Sequence, residues 1–186
     1  RLQPQPDWRR ERWDTPDGDF IDVDHLDAPQ AASGAVPQVV LFHGLEGSSQ
    51  SPYARSIAHT FAADGWRVAV VHFRGCSGEP NRLARAYHSG DSAEIDWILR
   101  RFRSRHDGLL VAVGVSLGAN ALLKWLGEQG ESASKLVDAC AAVCAPQDLR
   151  AGAYALASGV NLMYMRYFLH SLIPNALERL QRFPGL

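Results

Sequence analysis

Ser116 stands in the run Gly114-Val115-Ser116-Leu117-Gly118, a Gly-x-Ser-x-Gly pattern. A serine flanked in this way suits a sharp turn that lifts its hydroxyl clear of the backbone, and bulky neighbours would not fit there. The pattern carries chemistry only between a strand and a helix. Residues 109–113, Leu-Leu-Val-Ala-Val, are too short for a typical helix and rich in branched apolar side chains, so they read as a fully buried strand. Residues 119–126 place Leu122, Leu123, Trp125 and Leu126 at helical spacing. Ser116 is therefore the candidate catalytic nucleophile at a nucleophile elbow, with Gly114 and Gly118 supporting the turn. The N–H of Leu117 is the candidate for half of an oxyanion hole, reinforced by the positive end of the helix. The other half is expected from Leu45, in the loop His43-Gly44-Leu45-Glu46-Gly47-Ser48 that follows the apolar run 38–42, with His43 and Gly44 shaping that loop.

A serine becomes a good nucleophile only when a histidine takes its proton and an acid orients the histidine. On an elbow the chain order is serine, then acid, then histidine. Downstream of Ser116 the only histidine is His170, inside an apolar segment where a packed or surface role is the commoner one. Asp138 falls within an expected strand and Asp148 just after it, which makes Asp148 the better acid candidate. His43 precedes the serine and suits the oxyanion loop better than the base.

Several elements must position these residues. Residues 9–14 and 19–26 flank a Pro-Asp-Gly turn and read as an antiparallel hairpin. In its second arm Ile21 and Val23 alternate with Asp22 and Asp24, as on a half-exposed strand with its acids in solvent. A metal site of Asp22, Asp24 and His25 is the less common reading of such alternation. Residues 28–37 form a small-residue loop. Ser51-Pro52 starts a helix with serine at the N-cap, and Ala54, Ile57, Ala58, Phe61 and Ala62 form its apolar stripe. Residues 66–73 are the third apolar strand, and residues 91–105 a helix burying Ile95, Ile98, Leu99 and Phe102. Residues 136–144 read as one more buried strand. Strands alternating with helices of this length mean an α/β fold with a mostly parallel sheet and an N-terminal antiparallel hairpin. The glycine-rich loops all fall at the carboxyl ends of its strands, where such sheets bind ligands. Residues 151–173 are apolar and aromatic but interrupted by Asn161, Arg166 and His170, which favours amphipathic lid helices over a membrane span.

The 186 residues suffice for one domain with a real core, and the net charge of −1 calls for neither nucleic acid nor an anionic membrane as partner. Arg100, Arg101, Arg103 and Arg105 suit the solvated C-terminal end of a helix better than a phosphate patch. Cys76, Cys140 and Cys144 are an odd number without metal-type spacing, which favours a reducing compartment, so the cytoplasm is the expected location. No metal or cofactor is expected. No signal peptide is visible, and the chain opens on Arg1-Leu2-Gln3 instead of methionine, so it is expected to be a fragment.

Five loop motifs taken together carry a resemblance: residues 43–48, Ser51-Pro52-Tyr53, residues 72–82, Tyr87-His88-Ser89-Gly90, and Gly114-Val115-Ser116-Leu117-Gly118-Ala119-Asn120. They resemble the YheT-like branch of the α/β-hydrolases, which includes bacterial esterases and eukaryotic relatives acting on lipid and medium-chain esters. The resemblance implies an eight-stranded sheet and a Ser-Asp-His triad with Ser116 as its serine. It also implies that the acid and histidine lie on loops after strands that this chain does not contain. Residues 1–145 are then the N-terminal part of the core and residues 146–186 the start of a helical lid, with the remaining strands missing and a sheet edge left open. The expected activity is hydrolysis of short- to medium-chain acyl esters, small-molecule or lipid-like, with alcohol acyltransfer as a close variant. A catalytically incompetent fragment or non-catalytic binding module of the same fold is the contrasting expectation. The oligomeric state is left open.

Overall fold

The computed structural model describes residues 4–27 and 35–185. Most of the expected loop 28–37 lies outside the described residues. Among the described residues six strands form one mixed sheet in the order β1-β2-β4-β3-β5-β6. Strands β1 (Arg9–Asp14) and β2 (Phe20–Leu26) make the antiparallel hairpin, and β2 also runs antiparallel to β4 (Arg67–His72). Strands β3 (Gln38–Phe42), β4, β5 (Leu110–Val115) and β6 (Ala139–Val143) are mutually parallel. Helices α1 (Pro52–Ala63), α2 (Ser92–Arg103) and α3 (Leu117–Gln129) make the crossovers.

The central strands read as continuous apolar runs because both of their faces are covered. Val39, Val40, Leu41 and Phe42 of β3 and Val68, Ala69, Val70 and Val71 of β4 are all fully buried. Val39, Leu41, Val70 and Val113 meet α1 on one face. Val40, Phe42, Ala69 and Val71 point the other way, into a core with Ile95, Ile98 and Leu99 of α2 and Leu122 and Trp125 of α3. Removing a side chain such as Trp125 from that core costs about 3–5 kcal/mol. From β3 the chain crosses to β4 on one side, then returns to β5 on the other. The loops after β3 and β5 therefore leave toward opposite faces, and a crevice opens between them.

Three expectations need correction. Asp22 and Asp24 are not in solvent: both are buried, because β2 is an internal strand and their carboxylates are covered from β1. Arg12 clasps Asp22 with two bonds of 2.8 Å, and Arg10 clasps Asp24 at 2.7 and 2.9 Å. The strand expected at residues 136–144 forms as β6, but Ala139, Ala141, Ala142 and Val143 are exposed. Among the described residues only β5 pairs with it, so small apolar side chains suited to burial stand at a sheet edge. Ser51 does sit at the N-terminus of α1, yet its hydroxyl accepts the Ser48 N–H at 3.0 Å and caps no helical N–H.

The arginine run is exposed at both ends and structural in between. Arg100 pairs with Asp96, and Arg105 with Glu11. Arg101 lies over the Trp13 ring, while Arg103 binds the carbonyls of Leu136 and Gly108. Beyond β6 come α4 (Leu149–Leu156) and the long α5 (Leu162–Arg182), which contains Pro174. Neither helix has a fully buried residue among those described. Tyr154, Val160, Met163 and Tyr167 are prominently exposed.

Candidate active site

Ser116 occupies the turn between β5 and α3 with φ +52° and ψ −113°. A positive φ costs a serine about 1–3 kcal/mol, so the surroundings must impose it. They do so from three sides. The Ser116 N–H donates to the Val143 carbonyl of β6 at 2.8 Å, and its carbonyl accepts the Asn120 N–H at 3.1 Å. Gly118 lies so close to the Phe42 and His43 carbonyls that any Cβ there would strike them. A Cβ at Gly114 would come within 2.6 Å of Ala119 Cα, so α3 starts hard against the end of β5. The half-buried Ser116 side chain has no hydrogen-bond partner among the described residues.

The loop after β3 abuts this turn. A Cβ on Gly44 would lie 3.3 Å from Ser116 Cβ and 3.4 Å from the Val115 carbonyl, so glycine permits the approach. His43 is wholly buried. Its Nδ1–H donates to the Gly44 carbonyl at 2.7 Å and its Nε2 accepts the Phe73 N–H at 3.1 Å. Burial holds the ring neutral, with its pKa pushed down to about 3. His43 thus shapes the loop and has no nitrogen left for a substrate proton. The Gly44 and Glu46 N–H groups are occupied, each by a tyrosine hydroxyl at 2.9 Å, from Tyr53 and Tyr87. Leu45 between them keeps an N–H with no acceptor among the described residues. Leu117 opens α3, so its N–H lies among the first-turn donors that have no intrahelical acceptor. Leu45 follows Gly44, which packs against Ser116, and Leu117 follows the serine itself, so both donors come from segments that adjoin the hydroxyl.

The weaker candidates have other tasks. Asp138 accepts the Leu110 N–H and pairs with Arg103, at the opposite end of β5 from Ser116. Asp148 caps α4 by accepting the Ala151 N–H at 2.9 Å. His170 is exposed on α5. None of the three is hydrogen-bonded to the serine.

Tyr53 and Tyr87 were not singled out by their spacing, since they reach the loop across 9 and 41 residues of sequence. Their presence in the shared motifs was the only signal. The motif at residues 72–82 is explained largely by tethering. Arg74 is buried between Asp19 and Glu94, Asn81 binds Asp19 and the Phe20 carbonyl, and His72 meets Asp24 at 2.8 Å. These bonds tie the loop after β4 to the hairpin. A cleft of about 290 Å3 opens beside it, lined by Leu45, Glu46 and Tyr87 from the core and by Leu172, Asn175 and Arg179 from α5. Ser116 is not among its lining residues. Among the described residues there is no cluster of three metal-ligating side chains, and no helix is long and apolar enough to cross a membrane.

Residues 37–181 match the profile of the alpha/beta hydrolase fold. The chain is similar to "Putative esterase YheT" of Escherichia coli K12, with 42% identity over 97% of this chain and 52% of that protein. It is also similar to "Medium-chain fatty acid ethyl ester synthase/esterase 2" of Saccharomyces cerevisiae, with 40% identity over 61% of this chain and 25% of that one. Among solved structures, a brefeldin A esterase superposes with a TM-score of 0.52 at 21% identity, over 76% of this chain and 40% of the other. The chain spans about half the length of the first relative and less of the others.

Proposed function

The chain belongs to the α/β-hydrolase family, as a YheT-like member, and from that premise we propose that the protein is a serine hydrolase that cleaves carboxylic esters through an acyl-enzyme on Ser116. One observation carries the proposal: a strained, partly accessible serine stands against the loop of Leu45 and at the head of a helix that begins with Leu117, and neither its hydroxyl nor the Leu45 N–H has a partner among the described residues. Ser116 Oγ adds to the ester carbonyl carbon, and the carbonyl π pair moves onto its oxygen, which the Leu45 and Leu117 N–H groups stabilise. The serine proton passes to a histidine base and then to the departing alcohol as the tetrahedral adduct collapses. Water repeats the addition and releases the acid. An alcohol in place of water gives a new ester, so acyltransfer is a variant of the same cycle.

The base and its acid partner are assigned, by the resemblance, to the part of the protein that this chain does not span. Residues 1–145 then act as the core and residues 146–186 as the beginning of a lid over the strand ends. Short- to medium-chain acyl esters are the proposed substrates, supported by the likeness to an esterase and to a medium-chain fatty acid ethyl ester synthase/esterase. The cytoplasm is proposed on the odd cysteine count.

Intact-mass measurement after exposure to a fluorophosphonate tests the reading. The full-length protein is expected to gain one adduct on Ser116, and residues 1–186 alone none. A second reading, a binding module without catalysis, draws on the absence of any histidine or carboxylate bonded to Ser116 among the described residues. A full-length protein that stays unlabelled and hydrolyses no ester would establish that second reading instead.

A further inference from the structure

The peptide planes around Leu45 are pinned one after another. A planar peptide fixes its N–H by fixing its C=O, so the Leu45 N–H is aimed by whatever holds the Gly44 carbonyl. That carbonyl accepts from His43 Nδ1 at 2.7 Å and from the Gly47 N–H at 3.0 Å. The plane before it is held by Tyr53 Oη on the Gly44 N–H, and the plane after it by Tyr87 Oη on the Glu46 N–H. Tyr87 stacks on Phe73 with ring centroids 5.4 Å apart, which places its hydroxyl independently of that bond. Glu46 takes a left-handed conformation, φ +53°, so the turn does not hold this shape unaided. Its carboxylate then faces outward in two directions. Oε1 accepts from Tyr87 Oη at 2.9 Å, and Oε2 accepts from Asn175 Nδ2 on α5 at 2.8 Å.

We propose that Tyr53 and Tyr87 are positioning residues that aim the Leu45 N–H at the developing oxyanion, and that Glu46 couples this aim to the seating of α5 through Asn175. This rests on the Ser116 acyl-enzyme reading. Both phenols are raised by burial, so each remains a hydroxyl able to accept and donate across the working pH range. The coupling gives α5 a role beyond covering the cleft: when it is seated, the last plane of the loop is locked.

The test uses the full-length protein with Tyr53→Phe, Tyr87→Phe, the double variant, and Asn175→Ala. Readouts are kcat, KM, Tm, and the affinity of a trifluoromethyl ketone, whose serine adduct carries an oxyanion at the same place. Each Tyr→Phe variant is expected to lose about tenfold in kcat with KM within about twofold, and to lose ketone affinity by the same factor. Asn175→Ala, an exposed change, is expected to lower both by about threefold with Tm unchanged. A merely structural role would lower Tm and leave kcat and ketone affinity at their original values well below Tm, and that result overturns the proposal. If the double variant does not fold, the single variants and Asn175→Ala decide it. Ser116→Ala separates the two levels: an active Ser116→Ala protein overturns the acyl-enzyme reading itself, whereas an inactive one beside unaffected tyrosine variants overturns only the positioning role.

Discussion

Ser49 and Ser116 both stand at the carboxyl end of the sheet, and it is Ser49 that has the company of a histidine and an aspartate. Its hydroxyl donates to Asp24 Oδ2 at 2.6 Å, and His72 Nε2 meets the same oxygen at 2.8 Å. All three residues are buried, Arg10 closes the carboxylate from outside, and His72 Nδ1 is spent on the Cys76 carbonyl. The serine proton points at the acid, so no imidazole nitrogen is placed to take it. Ser116 has neither histidine nor acid bonded to it among the described residues, yet it has strain, access and two neighbouring N–H donors. Residue types alone do not mark a candidate nucleophile, and the Ser49 cluster is a clamp joining β2 to the ends of β3 and β4.

The contrast is sharpest in paired substitutions. Ser116→Ala in the full-length protein is expected to cut ester turnover at least about 10^4-fold with little change in Tm. Ser49→Ala, assayed in parallel, should keep turnover within about threefold. Were Ser49→Ala the dead variant and Ser116→Ala the active one, the two assignments would have to be exchanged.

Stability should respond in the opposite order. Asp24→Asn removes the anion from beneath Arg10 and His72 and is expected to cost about 2–4 kcal/mol in urea unfolding, the range discounted for the partly exposed Arg10. Burial by itself would raise the Asp24 carboxyl, but Arg10, His72 and Ser49 outweigh it and hold its pKa well below the usual 3.8. A carboxyl depressed in the folded state contributes stability that is complete above its unfolded value and is lost as pH falls beneath it. The wild type should therefore lose stability below pH 3.8 more steeply than Asp24→Asn. Ser49→Ala is expected to cost about 1–3 kcal/mol, the worth of one hydrogen bond to a buried charge.

At His43 the effect is a pH dependence of stability, which separates loop-shaping from proton transfer. Its folded pKa of about 3 lies under the usual 6.5, so the unfolded chain binds an extra proton between those values. Stability should then rise with pH across that window, by up to about 1.4 kcal/mol per unit from this residue. His43→Gln is expected to flatten that part of the curve. A turnover profile whose acid limb follows His43 instead would contradict its place as a loop residue.

Much of this was legible in residue order. The runs at residues 38–42 and 109–113 are apolar without alternation, and both supply central strands, although Leu109 is exposed outside β5 and Val111 is half-buried. Glycine at positions 114 and 118 announced a turn too tight for side chains, and the Phe42 and His43 carbonyls against Gly118 are the physical reason. Periodicity misjudged the hairpin, because alternation cannot tell a solvent face from one roofed by arginines: Asp22 and Asp24 are paid for by Arg12 and Arg10 on the neighbouring strand. It misjudged β6 as well, since Ala, Cys and Val describe a strand suited to burial whether or not anything packs against it.

The chain's own order determined that a serine would sit between a strand and a helix, because hydrophobic period and glycine placement are local properties. Which groups attend that serine was decided by tertiary structure alone. Tyr87 reaches Glu46 over 41 residues and Asn175 reaches it over 129, and no local pattern encodes such distances. The mixed sheet brings these groups to the carboxyl end of its parallel strands, where three pinned peptide planes leave the Leu45 N–H without an acceptor among the described residues.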